Sequence, residues 1–238
     1  LRIWYSHDNI IKGNSLKKSR DMVVWYSHGN EIIGNSGEYC RYSLHFMYAG
    51  KNIVKDNDKS GLYLLGAIFF WFLGYNALEV FFTSFAVNVL GVDSGEATFL
   101  LAYFSLAIII TAPIAGYVGG KVGRKRTMIV GIIAFAILLA YGYTITSVLH
   151  VKIMLLLSGI SWSMILVNSL PMVIDMAPQD RLGAYTGLYY LSSQTSAIVG
   201  PILSGKIISI FSNDYRIAFM YGAITLVIAL LFVIPIKR

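Results

Sequence analysis

Six apolar runs dominate the chain from Gly61 onward, at about 62–84, 98–119, 127–149, 153–174, 184–209 and 217–236. A helix needs roughly 20 apolar residues to cross a hydrocarbon core of about 30 Å. Each run meets that length, so this part of the chain reads as six transmembrane helices. The fold class expected is mainly α and membrane-embedded. Charge divides the sequence in two: residues 1–60 hold 9 of the 19 Lys+Arg and 6 of the 12 Asp+Glu, leaving 16 charges for the other 178 residues. A mean hydropathy of +0.65 excludes disorder, coiled coil and an ordinary soluble domain. The polar stretch Lys51–Ser60 marks the boundary, giving expected domains of 1–58 and 61–238.

Basic residues set the orientation. Lys121, Arg124, Lys125 and Arg126 follow the second run, Arg181 the fourth, and Lys237 and Arg238 the sixth. The opposite side offers only Lys152 and Arg216, so both ends of the six-span unit are expected in the cytoplasm. The same distribution accounts for the net charge of +7 without a nucleic-acid partner. The expected location is the plasma or inner membrane, as a multi-pass protein in contact with the bilayer.

The first sixty residues repeat. Asn9-Ile-Ile-Lys-Gly-Asn14, Asn30-Glu-Ile-Ile-Gly-Asn35 and Asn52-Ile-Val-Lys-Asp-Asn57 align at steps of 21 and 22 residues. Trp4-Tyr5-Ser6-His7 recurs as Trp25-Tyr26-Ser27-His28. Strand-forming residues alternating with Gly-Asn corners at this period suit a short parallel β-helix fragment whose asparagines stack as a ladder. His7, His28 and His45 recur in step, but no carboxylate or thiol accompanies them at ligand spacing. They read as a polar row, and no metal is expected. With Arg41-Tyr-Ser-Leu-His-Phe-Met-Tyr48, the repeat resembles NosD-like β-helix proteins, periplasmic accessories of copper-enzyme maturation related to carbohydrate-binding repeats.

The loop Gly116-Tyr-Val-Gly-Gly-Lys-Val-Gly-Arg-Lys-Arg126 resembles the signature loop of the major facilitator superfamily. Gly116 and Gly120, four apart, read as permitting close helix contact. Gly123 and the basic turn read as capping helix ends and pairing with acids on a neighbour. Gly120 and Lys121 stand where many members carry an acid followed by a base, a departure from the family pattern. Phe69-Phe-Trp-Phe-Leu-Gly-Tyr-Asn-Ala-Leu-Glu79, Asn168-Ser-Leu-Pro-Met-Val-Ile-Asp175 and Ala177-Pro-Gln-Asp-Arg-Leu-Gly-Ala-Tyr-Thr-Gly-Leu-Tyr189 resemble the C-terminal half of sugar/cation symporter-like facilitators. The resemblance implies that the six spans are helices seven to twelve of a twelve-helix symporter. A six-helix N-terminal half would then form the other wall of the substrate cavity.

Polar side chains within spans are costly, and so are candidates for function. Tyr75, Asn76 and Glu79 share a helical face with Phe72. They offer an aromatic platform, an amide and a carboxylate that can carry a coupling proton. Asn168 and Gln194 are neutral donors and acceptors at mid-membrane depth, lining a cavity or joining helices. Trp71 and Trp162 read as packing residues. Asp175, Asp180 and Arg181 lie where an acid-base network with Arg124–Arg126 can hold an inner gate shut. No nucleotide loop, catalytic triad or zincin motif occurs, and the lone Cys40 has no second thiol, so neither an enzyme nor a cofactor is expected.

The leading function is half of a secondary-active transporter for a small organic solute, sugar-like, coupled to a proton or cation. The alternative is a periplasmic carbohydrate-binding or copper-maturation β-helix protein anchored by the helices. The six-span orientation puts residue 60 inside the cell, whereas the β-helix family works outside. A junction near residues 55–61 that is not native to one protein reconciles the two most simply.

Overall fold

The computed structural model describes residues 59–237. The β-helix expectation for residues 1–58 lies outside them. The described residues form six long helices: α1 (Ser60–Phe85), α2 (Ser94–Val122), α3 (Arg124–Gly142), α4 (Val148–Met176), α5 (Leu182–Ile210) and α6 (Ile217–Val233). A π-helical turn, Ala86–Leu90, extends α1, and a short 3-10 turn, Gln179–Arg181, precedes α5.

Local chemistry explains the ends. Gly91 closes the π turn at φ 72°, a left-handed conformation that glycine adopts without a Cβ penalty. Asp93 then caps α2, its Oδ1 accepting from the backbone N–H of Gly95 at 2.7 Å and of Glu96 at 3.3 Å. Gly123, at φ 106°, is the single residue between α2 and α3. The third and fourth helices correct the expected boundary. The turn falls at residues 143–147, after Gly142, and Thr144 folds back so that its hydroxyl donates to the Tyr141 carbonyl at 2.8 Å. His150 and Lys152, expected in the connecting loop, instead begin α4. Hydropathy alone missed this because Tyr, Thr and Ile are tolerated in a span as well as in a turn.

Among the described residues, four helical segments are long and apolar enough to cross a membrane: Ser60–Leu90, Ser94–Val122, Arg124–Gly142 and Val148–Met176. Helix α5 has the length, but Ser, Thr, Gly, Gln and Lys dilute its apolar character, and α6 is apolar but only 17 residues long. α1 packs between α5 and α6, while α4 packs on α2 and α3, and α3 also meets α6. Lipid-facing helices gain little from hydrophobic exclusion, so close backbone approach matters. Glycines provide it: a Cβ at Gly74 would lie 2.2 Å from Thr225 Oγ1 of α6, and one at Gly200 2.6 Å from the Leu73 carbonyl oxygen of α1.

Candidate functional site

An aromatic slab stands between α1, α2 and α4. The Tyr75 ring stacks on Trp162 with centroids 4.3 Å apart and planes 10° from parallel, and its other neighbour is Phe104 at 5.9 Å. Phe72 meets Trp162 edge-on at 5.4 Å, and Phe135 backs the indole at 5.6 Å. Offset and edge-on contacts of this kind fix ring orientation. Trp162 and Phe135 are buried, whereas Tyr75 and Phe72 are half-buried and form the accessible edge of the slab.

Glu79 follows Tyr75 by one helical turn on the same face and is exposed. It lies 19 positions after Ser60, about 28 Å along the axis. Asn76 sits on the same face, half-buried, but its Nδ2 donates to the Phe72 carbonyl of its own helix at 2.7 Å. Of the five candidate solute residues, the structure therefore brings Tyr75, Asn76 and Glu79 together. The other two stand apart. Asn168 is buried, and its Nδ2 donates to the carbonyls of Ala115 at 3.1 Å and Met164 at 2.9 Å, so its amide joins α4 to α2. Gln194 is exposed on α5. Trp71 and Trp162 both pack in the core, as expected.

The α2–α3 turn makes the second cluster. Arg124 forms a salt bridge with Asp175 at the end of α4, realising one pair of the expected acid-base network. Lys125 donates to the Ile234 carbonyl at 2.8 Å and to that of Ile236, tying α3 to the chain just beyond α6. Lys121 lies over the Tyr117 ring at 4.6 Å, and Arg126 is exposed. Arg181 is half-buried in the turn before α5, its backbone N–H bonded to the Pro178 carbonyl.

The glycine expectation shifts by one residue. Gly116 does approach α4, with a Cβ position 3.3 Å from Val167 Cγ1, but at Gly120 nothing lies within 4 Å. The close contact belongs to Gly119, where a Cβ would sit 1.7 Å from Asn168 Oδ1. Phe104, Phe135 and Gly119 were not singled out by sequence. The recurrence of small residues at Ala107, Thr111, Ala115 and Gly119 carries the signal that identifies the last of them.

A bundle of this geometry defines a class, the helical membrane proteins. Residues 64–238 match the Major Facilitator Superfamily, and the chain belongs to that superfamily. Residues 1–69 match the family described as Periplasmic copper-binding protein (NosD). The chain is 26% identical over 193 residues to Multidrug resistance protein 2 of Bacillus subtilis (strain 168), covering 79% of this chain and 46% of that protein. It is 28% identical over 129 residues to Multidrug resistance protein fnx1 of Schizosaccharomyces pombe, covering 50% and 24%. The crystal structure of a mutant of the peptide transporter POT with sulfate shares the fold. Its TM-score is 0.66 at 16% identity, over 74% of this chain and 37% of that one. The chain thus spans less than half the length of these relatives.

Proposed function

We propose that residues 61–238 are the C-terminal six-helix half of a proton- or cation-coupled secondary transporter in the plasma or inner membrane. The half works with an N-terminal six-helix half, and residues 1–58 are a separate β-helix fragment. All six helices cross the bilayer in this reading, with α5 and α6 covered by α1. The observation that carries it is the half-open Tyr75–Phe72 edge with exposed Glu79 one turn away, on a helix apolar enough to span a membrane.

For the solute we propose an aromatic or otherwise apolar organic molecule in place of the sugar-like one. A hydroxyl-rich ligand needs several uncommitted donors and acceptors. The Asn168 amide is committed to the α2–α4 seam and that of Asn76 to Phe72, whereas the half-buried Tyr75 and Phe72 rings keep an apolar edge within reach of a solute. The names of the curated relatives, multidrug resistance proteins, support the same choice.

A fluorescent aromatic dye titrated into the detergent-solubilised chain tests this reading. Tyr75→Ala is expected to weaken binding about tenfold, the equivalent of one lost edge-on aromatic contact of about 1.4 kcal/mol. Displacement of the dye by a hexose, with Tyr75→Ala binding it normally, overturns the aromatic-solute reading. Orientation has its own check. In a Cys40→Ser background, Val122→Cys, on an exposed position of the α2–α3 turn, is expected to resist an impermeant thiol reagent added outside intact cells and to react after permeabilisation. Labelling from outside would reverse the topology.

A further inference from the structure

The four bases at the α2–α3 turn divide into two inward and two outward residues. Arg124 is matched by Asp175, and Lys125 by carbonyls beyond α6. Lys121 and Arg126 are exposed, and among the described residues neither has a carboxylate within ion-pair distance. The first turn of α3 supplies no acid either.

Lys121 heads a continuous apolar stripe on α2, and Arg126 follows it by five positions, in the first turn of α3. Leu106, Ile110, Ile114, Tyr117 and Lys121 follow one another at spacings of four, four, three and four, which places them on one face of α2. The four apolar members are 51%, 61%, 59% and 63% exposed, and α2 is the least covered of the four membrane-competent helices. At the head of the stripe the Lys121 ammonium rests over the Tyr117 ring. Tyrosine beside lysine is the combination favoured where hydrocarbon meets water.

We propose that Lys121 and Arg126, with Tyr117, bind the phosphate headgroup of an anionic phospholipid whose acyl chain lies along Ile114, Ile110 and Leu106. Charge complementarity selects the headgroup, and continuity with the apolar stripe selects a lipid over a soluble anion. The site rests on α2 crossing the membrane, as in the reading above.

The test is titration of the full chain in mild detergent with phosphatidylglycerol, phosphatidylcholine or inorganic phosphate, with binding followed by native mass spectrometry and by the thermal midpoint. Phosphatidylglycerol is expected to bind wild type about 25-fold more tightly than the Lys121→Gln/Arg126→Gln variant, at about fivefold per basic residue. Both residues are exposed, so the variant folds. Lys206→Gln removes a cation near the far end of α5, beside the Gly205–Phe81 contact, and leaves affinity unchanged. Equal affinity in wild type and double variant, or equal binding of phosphatidylcholine, overturns the headgroup site and leaves the membrane reading standing. Stabilisation by inorganic phosphate equal to that by phosphatidylglycerol overturns the lipid in favour of a free anion. Failure of every lipid to bind overturns the site and the membrane reading of α2 together.

Discussion

Replacing Glu79 by Gln, in a transporter completed with a matching first half, is expected to leave solute exchange intact and to abolish accumulation against a gradient. The amide keeps the shape and hydrogen-bonding capacity of the carboxyl group, but it does not titrate. Solute then distributes to equal concentrations on both sides whatever the proton gradient. Glu79 is the one carboxylate in α1, and its exposure leaves it accessible to water or solute rather than locked in a helix seam. Glu79→Asp retains a titrating group and is expected to restore part of the accumulation. Exchange and proton-driven uptake measured side by side separate coupling from folding. A purely structural acid would lower the yield of protein while the surviving molecules still accumulate solute.

Much of this architecture was legible because long apolar runs favour buried helices, and the six runs became six helices, four of them long and apolar enough to cross a membrane. The segment Tyr143–Ser147 was not legible, since its turn depends on Gly142 and on the Thr144 hydroxyl bonding to Tyr141. At the site, the face of Tyr75, Asn76 and Glu79 follows from helical periodicity within one element. The rings packed on Tyr75, those of Trp162 and Phe104, and that of Phe135 behind them come from three other helices, and no local pattern ties them together. Asn168 illustrates the same limit: a buried amide reads equally as a cavity group or an interhelical bond until the neighbouring carbonyl, Ala115, is located. Arg124 and Asp175 were matched because opposite charges at the same membrane face have few alternative partners.

The glycines give the second large effect, and they separate two assignments that sequence left one residue apart. Gly159→Leu is expected to disrupt the α2–α4 seam, because a Cβ there lies 2.4 Å from the Phe104 carbonyl oxygen and 2.8 Å from the Ala107 Cβ. The first obstacle is backbone, so no rotamer change relieves it and the helices must move apart. Overpacking of this kind costs up to about 3 kcal/mol, which lowers the thermal midpoint by roughly 6–12 °C in a domain of this size. Gly120→Ala meets nothing within 4 Å and sits inside α2, where alanine is favoured over glycine by about 1 kcal/mol. Its midpoint is expected to hold or rise. Gly119→Ala falls between them, since the Asn168 side chain that blocks it can rotate only by giving up its bond to Ala115. Thermal unfolding of the three variants in one detergent ranks them, and loss of stability at Gly120 with tolerance at Gly159 would place the helix contact on the wrong face of α2.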